Sequence, residues 1–253
     1  RDRTAYGSIV SRTIKQQVNI LMKQTFLIHQ NSPRLLLFFA GWGMDERPFR
    51  HYPLGCDWMI CYDYRTLDFS VEELKAYSEI RVAGWSMGVW VASQLATTLA
   101  TLPVTYCIAI NGTTYPVDEQ RGISPAIFEG TLHGLDEANL QKFQRRMCGS
   151  ANAFKRFQEI VPQRSAAELK EELFAIQEGY RTLPRATLRW DAAIIGTSDA
   201  IFLPANQQQA WDEQQTTFRQ IKAAHYSEEL FTNLFTPLSS EEASDGLLPL
   251  YHA

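Results

Sequence analysis

Residues 80–96 read IRVAGWSMGVWVASQLA and place Ser86 inside a Gly-x-Ser-x-Gly pattern. A short apolar run precedes the pattern and an apolar helical run follows it, which is the strand–turn–helix context of a nucleophile elbow. Gly84 and Gly88 leave room for the sharp turn, and strained backbone geometry at the serine lifts its hydroxyl above the edge of the sheet. The pattern alone also occurs in ordinary connecting turns. The elements on either side of it favour a nucleophilic serine here.

The composition limits the class of protein. The chain has 253 residues, 45% of them hydrophobic, which is enough for one sizeable core. Its formal net charge of −4 argues against a general nucleic-acid-binding protein, and no apolar run has the length of a membrane span or the pattern of a signal peptide. Cys61 and Cys107 lie inside apolar runs, and the cysteines have no metal-ligand spacing. We therefore expect buried thiols, no metal site and a cytoplasmic location.

The order of apolar runs predicts an α/β fold with a mostly parallel central sheet flanked by helices. Strands are predicted at 25–29, 34–40, 58–62, 81–83, 104–110, 192–195 and 217–221. Helices are predicted at 71–78, 89–102, 135–148, 151–160, 166–180 and 205–212.

The same order predicts a domain organisation. No convincing strand occurs between 113 and 185, so these residues are interpreted as a helical lid insertion. The α/β core then comprises 22–112 and 186–238. Residues 1–21 are interpreted as a leader or an upstream segment, and 239–253 as a loosely ordered tail.

A serine hydroxyl needs a neighbouring base to become a good nucleophile. His225 directly follows the last predicted strand, and loops at this end of parallel strands form the active crevice of such folds. It also comes last in the chain, as the hydrolase order of serine, acid and histidine requires. Surface or packing roles are expected for His29, His51, His133 and His252.

The acid and the oxyanion donors are expected on neighbouring loops. Asp199 follows the preceding strand and would orient the imidazole and stabilise its charged form. Asp63 ends an earlier strand and Asp191 begins its strand, so both are alternatives with expected structural roles. The backbone amides of Trp42, in the loop after the second strand, and of Met87, after the serine, are the expected oxyanion hole.

Four ordered stretches together resemble the α/β-hydrolase superfamily: 39–43, 84–88, 196–199 and 224–225. Gly-Trp-Gly paired with Gly-Trp-Ser-Met-Gly is similar to the biotin-pathway esterases. Residues 38–45, 62–64 and 109–113 are most similar to the BioG type, rather than the larger BioH type. Ala40 stands where many hydrolases have a histidine, but a backbone donor does not depend on that side chain.

The resemblance implies a function. It implies a serine esterase that hydrolyses pimeloyl-acyl-carrier-protein methyl ester in biotin biosynthesis, with Ser86, Asp199 and His225 as the triad and no metal or organic cofactor. A general carboxylesterase, a thioesterase, and a non-catalytic ligand-binding module on the same fold stay open as alternatives.

The insertion supplies a candidate surface for the acyl-carrier protein that this resemblance implies as a partner. Carrier proteins of this kind are acidic, and complementary charge speeds and orients encounter. Basic residues are dense between 142 and 164, where Glu159 is the acidic exception. The expected carrier-binding residues are Lys142, Phe143, Arg145, Arg146 and Arg156, with Lys155, Arg164, Phe154 and Phe157 as further members of the cluster.

Overall fold

The structure, a computed structural model, describes residues 22–185 and 188–236. Its strands are β1 (Lys23–Ile28), β2 (Arg34–Phe39), β3 (Asp57–Tyr62), β4 (Glu79–Trp85), β5 (Val104–Ile110), β6 (Ala192–Gly196) and β7 (Thr217–Ile221). They form one sheet in the order β1-β3-β2-β4-β5-β6-β7, in which β1 is antiparallel to β3 and every other pair is parallel. The predicted fold class is confirmed. The predicted leader and tail lie outside the described residues.

Helices surround this sheet. They are α1 (Met87–Gln94), α2 (Ala96–Leu99), α3 (Pro125–Gly134), α4 (Glu137–Cys148), α5 (Ala151–Glu159), α6 (Ala166–Thr182), α7 (Pro204–Glu213) and α8 (Glu228–Phe235). Helices α3 to α6 occupy the interval between β5 and β6 in the chain. No helix among the described residues has both the length and the apolar character that crossing a membrane requires.

Two sequence predictions of helices were wrong in extent. Residues 71–78 contain only a short 3-10 turn at Glu72–Leu74, because Ser78 already donates to the carbonyl of Pro33 beside the start of β4. The helix predicted at 89–102 is split at Leu95, whose φ of −90° and ψ of 9° leave the helical range. It also begins earlier, directly after Ser86, because the elbow starts the helix.

Two helices were missed. Helix α3 begins after Ser124 with Pro125 in its first turn, but Gly130 and Gly134 dilute its helical pattern. Helix α8 follows His225 and is capped by the Ser227 side chain. Both helices have N-terminal signals, a proline in α3 and a capping serine in α8, but their apolar periodicity alone did not predict them.

The centre of the sheet is covered on both faces. Residues 35–39 of β2 are fully buried, as expected for a parallel strand between two helical layers. Helix α8 packs Phe231 and Phe235 against Phe38 and Phe49, with ring centroids 4.9 to 6.5 Å apart in this cluster. Each such side chain contributes about 1.5–3 kcal/mol by leaving water. The chain segment after His225 is thereby anchored to the core.

Candidate active site

The expected triad residues lie at one edge of the sheet. Ser86 follows β4, Asp199 follows β6 and His225 follows β7, so parallel strands carry all three to their common carboxyl end. His225 Nδ1 lies 2.8 Å from Asp199 Oδ2, and His225 Nε2 lies 2.9 Å from Ser86 Oγ. The three residues are 5%, 3% and 2% exposed for Ser86, Asp199 and His225. These distances suit proton transfer from the serine to the imidazole.

Ser86 occupies a backbone conformation that side chains rarely adopt. Its φ is 58° and its ψ is −125°, a strain that costs about 1–3 kcal/mol. The turn closes because neighbouring glycines lack a Cβ: at Gly88 it would lie 2.1 Å from the Phe39 carbonyl oxygen, and at Gly112 2.4 Å from that of Ser86. The Ser86 amide also donates to the Ile110 carbonyl at 2.9 Å. The close packing of three strand ends therefore holds the strained turn.

Asp199 is held by four donors. Its Oδ1 accepts the backbone amides of Ile201 and Phe202 at 2.8 and 2.9 Å. Its Oδ2 accepts from Gln207 Nε2 at 3.1 Å as well as from His225. Gln207 is fully buried on α7 and was missed by sequence analysis, since one glutamine on a predicted helix gives no signal. The four donors fix the orientation of the Asp199 carboxyl group toward His225.

The alternative acids have partners elsewhere. Asp191 accepts the Cys107 backbone amide at the start of β6. Asp63 forms ion pairs with Arg65 and Arg164, at 2.7 and 3.1 Å. Burial alone would raise the pKa of Asp63, but the hydrogen bond from Arg65 and the charge of Arg164 outweigh it, and the pKa is lowered. Both carboxylates therefore bond to groups other than Ser86 and His225.

The remaining histidines do not share the site. His29, His51 and His133 are exposed. His252 lies outside the described residues. Among the residues that the structure describes, only His225 bonds to a serine hydroxyl and a carboxylate together.

The loop after β2 lies against the nucleophile. A Cβ on Gly41 would lie 3.1 Å from Ser86 Cβ, and both Trp42 and Met87 line the cavity at Ser86. Met87 is the first residue of α1, so its amide has no acceptor within the helix. The Trp42 indole donates to the Leu169 carbonyl on α6 at 2.9 Å, which fixes the loop. The two expected oxyanion residues therefore line the same cavity as Ser86.

The cavity beside Ser86 is mainly apolar. Its walls include the side chains of Ile123, Phe128, Met147, Leu173 and Ile201, together with His225, Phe143 and Arg146. An open groove between α3 and α4 shares Ile127, Thr131, Phe143 and Arg146 with the cavity. The cavity and the groove therefore lie next to each other and share these four side chains.

The basic residues of the insertion have different surroundings. Lys142 and Arg146 line the groove, whereas Arg145 is exposed on the same helix without lining it. Arg156 is exposed and forms an ion pair with Glu228. Phe143 lines both cavity and groove and meets the Trp42 ring at 5.0 Å.

Two further members of the predicted cluster need correction. Arg164 is not a surface cation, because its buried guanidinium pairs with Glu172 and Asp63 at 2.7 and 3.1 Å. Phe157 is fully buried against Tyr226, so it packs in the core and does not line the cavity. Helical charge and aromatic spacing did not reveal which face the neighbouring helices would cover.

The described residues contain no group of three or more His, Cys, Asp or Glu side chains placed to hold a metal ion. The four cysteines are buried free thiols. Burial raises the pKa of Cys107 and of Cys148 to about 12, so both thiols stay protonated near neutral pH. Both cysteines are therefore poor nucleophiles.

Comparison with known proteins agrees with the fold. The sequence profile of the family described as "Pimeloyl-ACP methyl esterase BioG" matches residues 22–237. A Bacteroides fragilis protein named malonyl-[acyl-carrier protein] O-methyltransferase is 54% identical over 208 residues, which are 82% of this chain and 42% of that protein. This chain thus spans less than half the length of that relative.

Solved structures also include a BioG protein and other proteins of the same fold. The crystal structure of BioG from Haemophilus influenzae has 38% identity and a TM-score of 0.75, over 83% of this chain and 97% of that one. A lipase-esterase related protein from Clostridium acetobutylicum shares the fold alone, with 15% identity and a TM-score of 0.58 over 81% and 91% of the two chains. On the match of residues 22–237, this chain belongs to the BioG family of the α/β-hydrolase fold.

Proposed function

We propose that this chain is a serine carboxylic-ester hydrolase that converts pimeloyl-acyl-carrier-protein methyl ester to the free acid and methanol, in biotin biosynthesis. The observation that carries the proposal is the hydrogen-bonded series of Ser86, His225 and Asp199 at an apolar cavity. Membership of the BioG family supports an ester as the bond and a carrier-borne acyl chain as the substrate class.

The residues support a two-stage reaction. Ser86 Oγ attacks the ester carbonyl while His225 Nε2 takes its proton, and Asp199 stabilises the resulting imidazolium. The amides of Trp42 and Met87 donate to the oxyanion. The bond to the methoxy oxygen then breaks as protonated His225 donates its proton to that oxygen, and methanol leaves. Water next attacks the acyl-serine with His225 as the base, releasing the carboxylate and restoring the serine hydroxyl.

The cavity and groove suggest how a long substrate enters. The apolar walls suit an alkyl chain that ends in a neutral methyl ester, and desolvating a free carboxylate there would be costly. Helices α3, α4 and α6 supply several of these walls, so residues 113–185 act as a lid in this proposal. The carrier attachment extends outward along the groove between α3 and α4.

The groove between α3 and α4 is the proposed docking surface for an acidic carrier. Lys142 and Arg146 line the groove, Arg145 extends the positive surface, and Phe143 lines both the groove and the cavity beside Ser86. Arg156 lies farther along the chain and is partly neutralised by Glu228. Exposed charges of this kind mainly affect encounter rate and orientation.

The first experiment measures hydrolysis of matched methyl esters, one carrier-bound and one free, by the parent protein and Ser86→Ala. We expect the parent to favour the carrier-bound ester and Ser86→Ala to lose activity by on the order of 10³-fold or more while remaining folded. Near-normal turnover by folded Ser86→Ala would remove this serine from the role. Equal preference for short free esters would favour a general carboxylesterase, and preference for the thioester bond a thioesterase.

The second experiment reverses charge on the docking surface with Arg145→Glu and Arg146→Glu together. The matched control combines Arg181→Glu and Arg189→Glu, which makes the same change in net charge at exposed side chains outside α4. Docking predicts a raised KM for the carrier-bound ester in the α4 variant alone, with a short free ester hydrolysed normally. An equal loss on both substrates would assign the arginines to the pocket or fold, and no loss would place docking elsewhere.

A further inference from the structure

Asn111 joins the three loops that carry the proposed triad. It follows β5, which lies between β4 and β6 in the sheet, and its side chain is fully buried. Its Oδ1 accepts the Gly196 backbone amide at 2.6 Å, at the start of the loop to Asp199. Its Nδ2 donates to the carbonyls of Ala224 and His225, each at 3.0 Å. One side chain therefore links the acid loop to the histidine loop.

The orientation of this amide is determined by its partners. Two carbonyls face one end and an N–H group faces the other, so a reversed amide would place donors against the donor and acceptors against acceptors. The backbone of Asn111 is also unusual, with a φ of 44° in the left-handed region, which asparagine tolerates better than most residues. Both its side chain and its backbone thus suit asparagine at this position.

The backbone beside Asn111 contacts the nucleophile. The preceding carbonyl, of Ile110, accepts the Ser86 amide at 2.9 Å, and Gly112 packs against the Ser86 backbone. The backbone N–H of Asn111 donates to the Ile194 carbonyl in β6 at 2.9 Å. The end of β5 therefore has bonded contacts with the nucleophile turn as well as with the two other loops.

The His225 carbonyl receives a second donor. The indole of Trp85, the residue before the nucleophile, donates to the same oxygen at 3.0 Å. The His225 backbone is thus held from β4 and from β5. Its ring lies near the rings of Trp85 and Phe202, with centroids at 5.4 and 6.1 Å. A displacement of the His225 backbone would move its buried imidazole relative to both Ser86 and Asp199.

We propose that Asn111 is a positioning residue that keeps His225 in line with Ser86 and Asp199. The inference rests on the proposed esterase function and adds a residue that touches none of the reacting atoms. Displacing a reacting group by about 1 Å can reduce a rate by on the order of 10²-fold, so loss of these bonds should reduce kcat far more than it changes KM.

The test compares Asn111→Gly with a matched control, Asn206→Asp. Glycine accepts the positive φ but removes the amide. Asn206 is partly buried and also donates from Nδ2 to two backbone carbonyls, those of Glu119 and Gly122. These carbonyls do not belong to the loops that carry the proposed triad. The substrate is p-nitrophenyl butyrate, and labelling of Ser86 by a fluorophosphonate gives a second rate. The low-field proton resonance of the His225–Asp199 hydrogen bond gives a readout that needs no substrate.

We expect Asn111→Gly to lose on the order of 10- to 10²-fold in kcat and in labelling rate, and to shift or broaden the low-field resonance. Asn206→Asp should stay within about twofold of the parent. Parent-like kcat and resonance in folded Asn111→Gly would overturn the proposal. A parent that neither turns over the ester nor reacts with the fluorophosphonate would refute the esterase function, and the resonance would still report on Asn111.

A second substitution covers failure of Asn111→Gly to fold. Trp85→Phe removes the other donor to the His225 carbonyl and keeps an aromatic ring. If the hold on this carbonyl matters, Trp85→Phe alone lowers kcat and perturbs the resonance. Where both variants fold, their combined effect should differ from the product of the single effects, because they share one acceptor. An unchanged resonance in Trp85→Phe, when Asn111→Gly is unfolded, would also overturn the proposal.

Discussion

Replacing Asp199 by asparagine tests the arrangement most directly, because the exchange conserves shape and removes charge. Both oxygens of Asp199 face donors: Oδ1 faces the Ile201 and Phe202 amides, and Oδ2 faces His225 Nδ1 and Gln207 Nε2. An asparagine can present an oxygen to one pair only. Its NH2 group must then face the other pair, whichever way the amide is turned.

The consequence for the rate follows from the favoured orientation. If the oxygen keeps the two backbone amides, the NH2 group faces His225 Nδ1, which can bond to it only as an unprotonated acceptor. The proton of the neutral imidazole then sits on Nε2, toward Ser86, and that nitrogen no longer accepts the serine proton. We expect kcat to fall by on the order of 10³- to 10⁴-fold. That loss corresponds to about 4–5.5 kcal/mol of transition-state stabilisation.

The assay is hydrolysis of a short methyl ester near neutral pH, with Asp63→Asn as the matched control. Asp63 has arginine partners and contacts neither His225 nor Ser86 through any bond in the described structure. Its variant should retain activity within about tenfold while losing stability. A loss below tenfold in folded Asp199→Asn, or a larger loss in Asp63→Asn, would refute the assignment of the acid.

Two further predictions concern folding. Gly88→Ala should fail to accumulate as folded protein, or should unfold at a much lower temperature in calorimetry. The reason is that its Cβ would lie 2.1 Å from the Phe39 carbonyl oxygen. A melting temperature like that of the parent protein would contradict the observed packing around Gly88. Asp63→Asn should be destabilised most near pH 7, and the difference from the parent should shrink below about pH 4, since a carboxyl whose folded pKa is lowered contributes stability that is lost as pH falls through that value. A difference that grows on acidification, in thermal unfolding at several pH values, would reverse the sign of this argument.

The sequence was sufficient to predict the fold class and to select the triad candidates because the signals were local and ordered. A strand, a Gly-x-Ser-x-Gly turn and a helix occur within 80–96, and Asp199 and His225 each follow a short apolar run. Parallel strands convert that order into proximity at one edge. No geometry had to be known beyond the direction of the strands.

What escaped prediction depends on contacts between distant segments. Gln207 and Asn111 hold groups 8 to 114 positions away in the chain, and neither stands in a pattern that indicates such a bond. Arg164 was counted among surface cations because its two partners give no local signal. Asp63 is distant in the sequence, and Glu172 is one of several glutamates in α6. Charge density along a chain therefore overestimates the exposed charge where an insertion folds back on its core.

The contacts of α6 connect the helix to the loop that follows β2. Burial raises the pKa of Glu172, and the Arg164 guanidinium opposes that shift through their ion pair. Glu172 also accepts the Tyr64 backbone amide, and the Tyr64 hydroxyl donates to the Ala40 carbonyl at 2.6 Å. With the Trp42 indole bonded to Leu169, the loop that holds the proposed oxyanion donor is connected to α6 on two sides. A preorganised donor needs a rigid support, so the conformation of this helix and the stabilisation of the oxyanion should vary together.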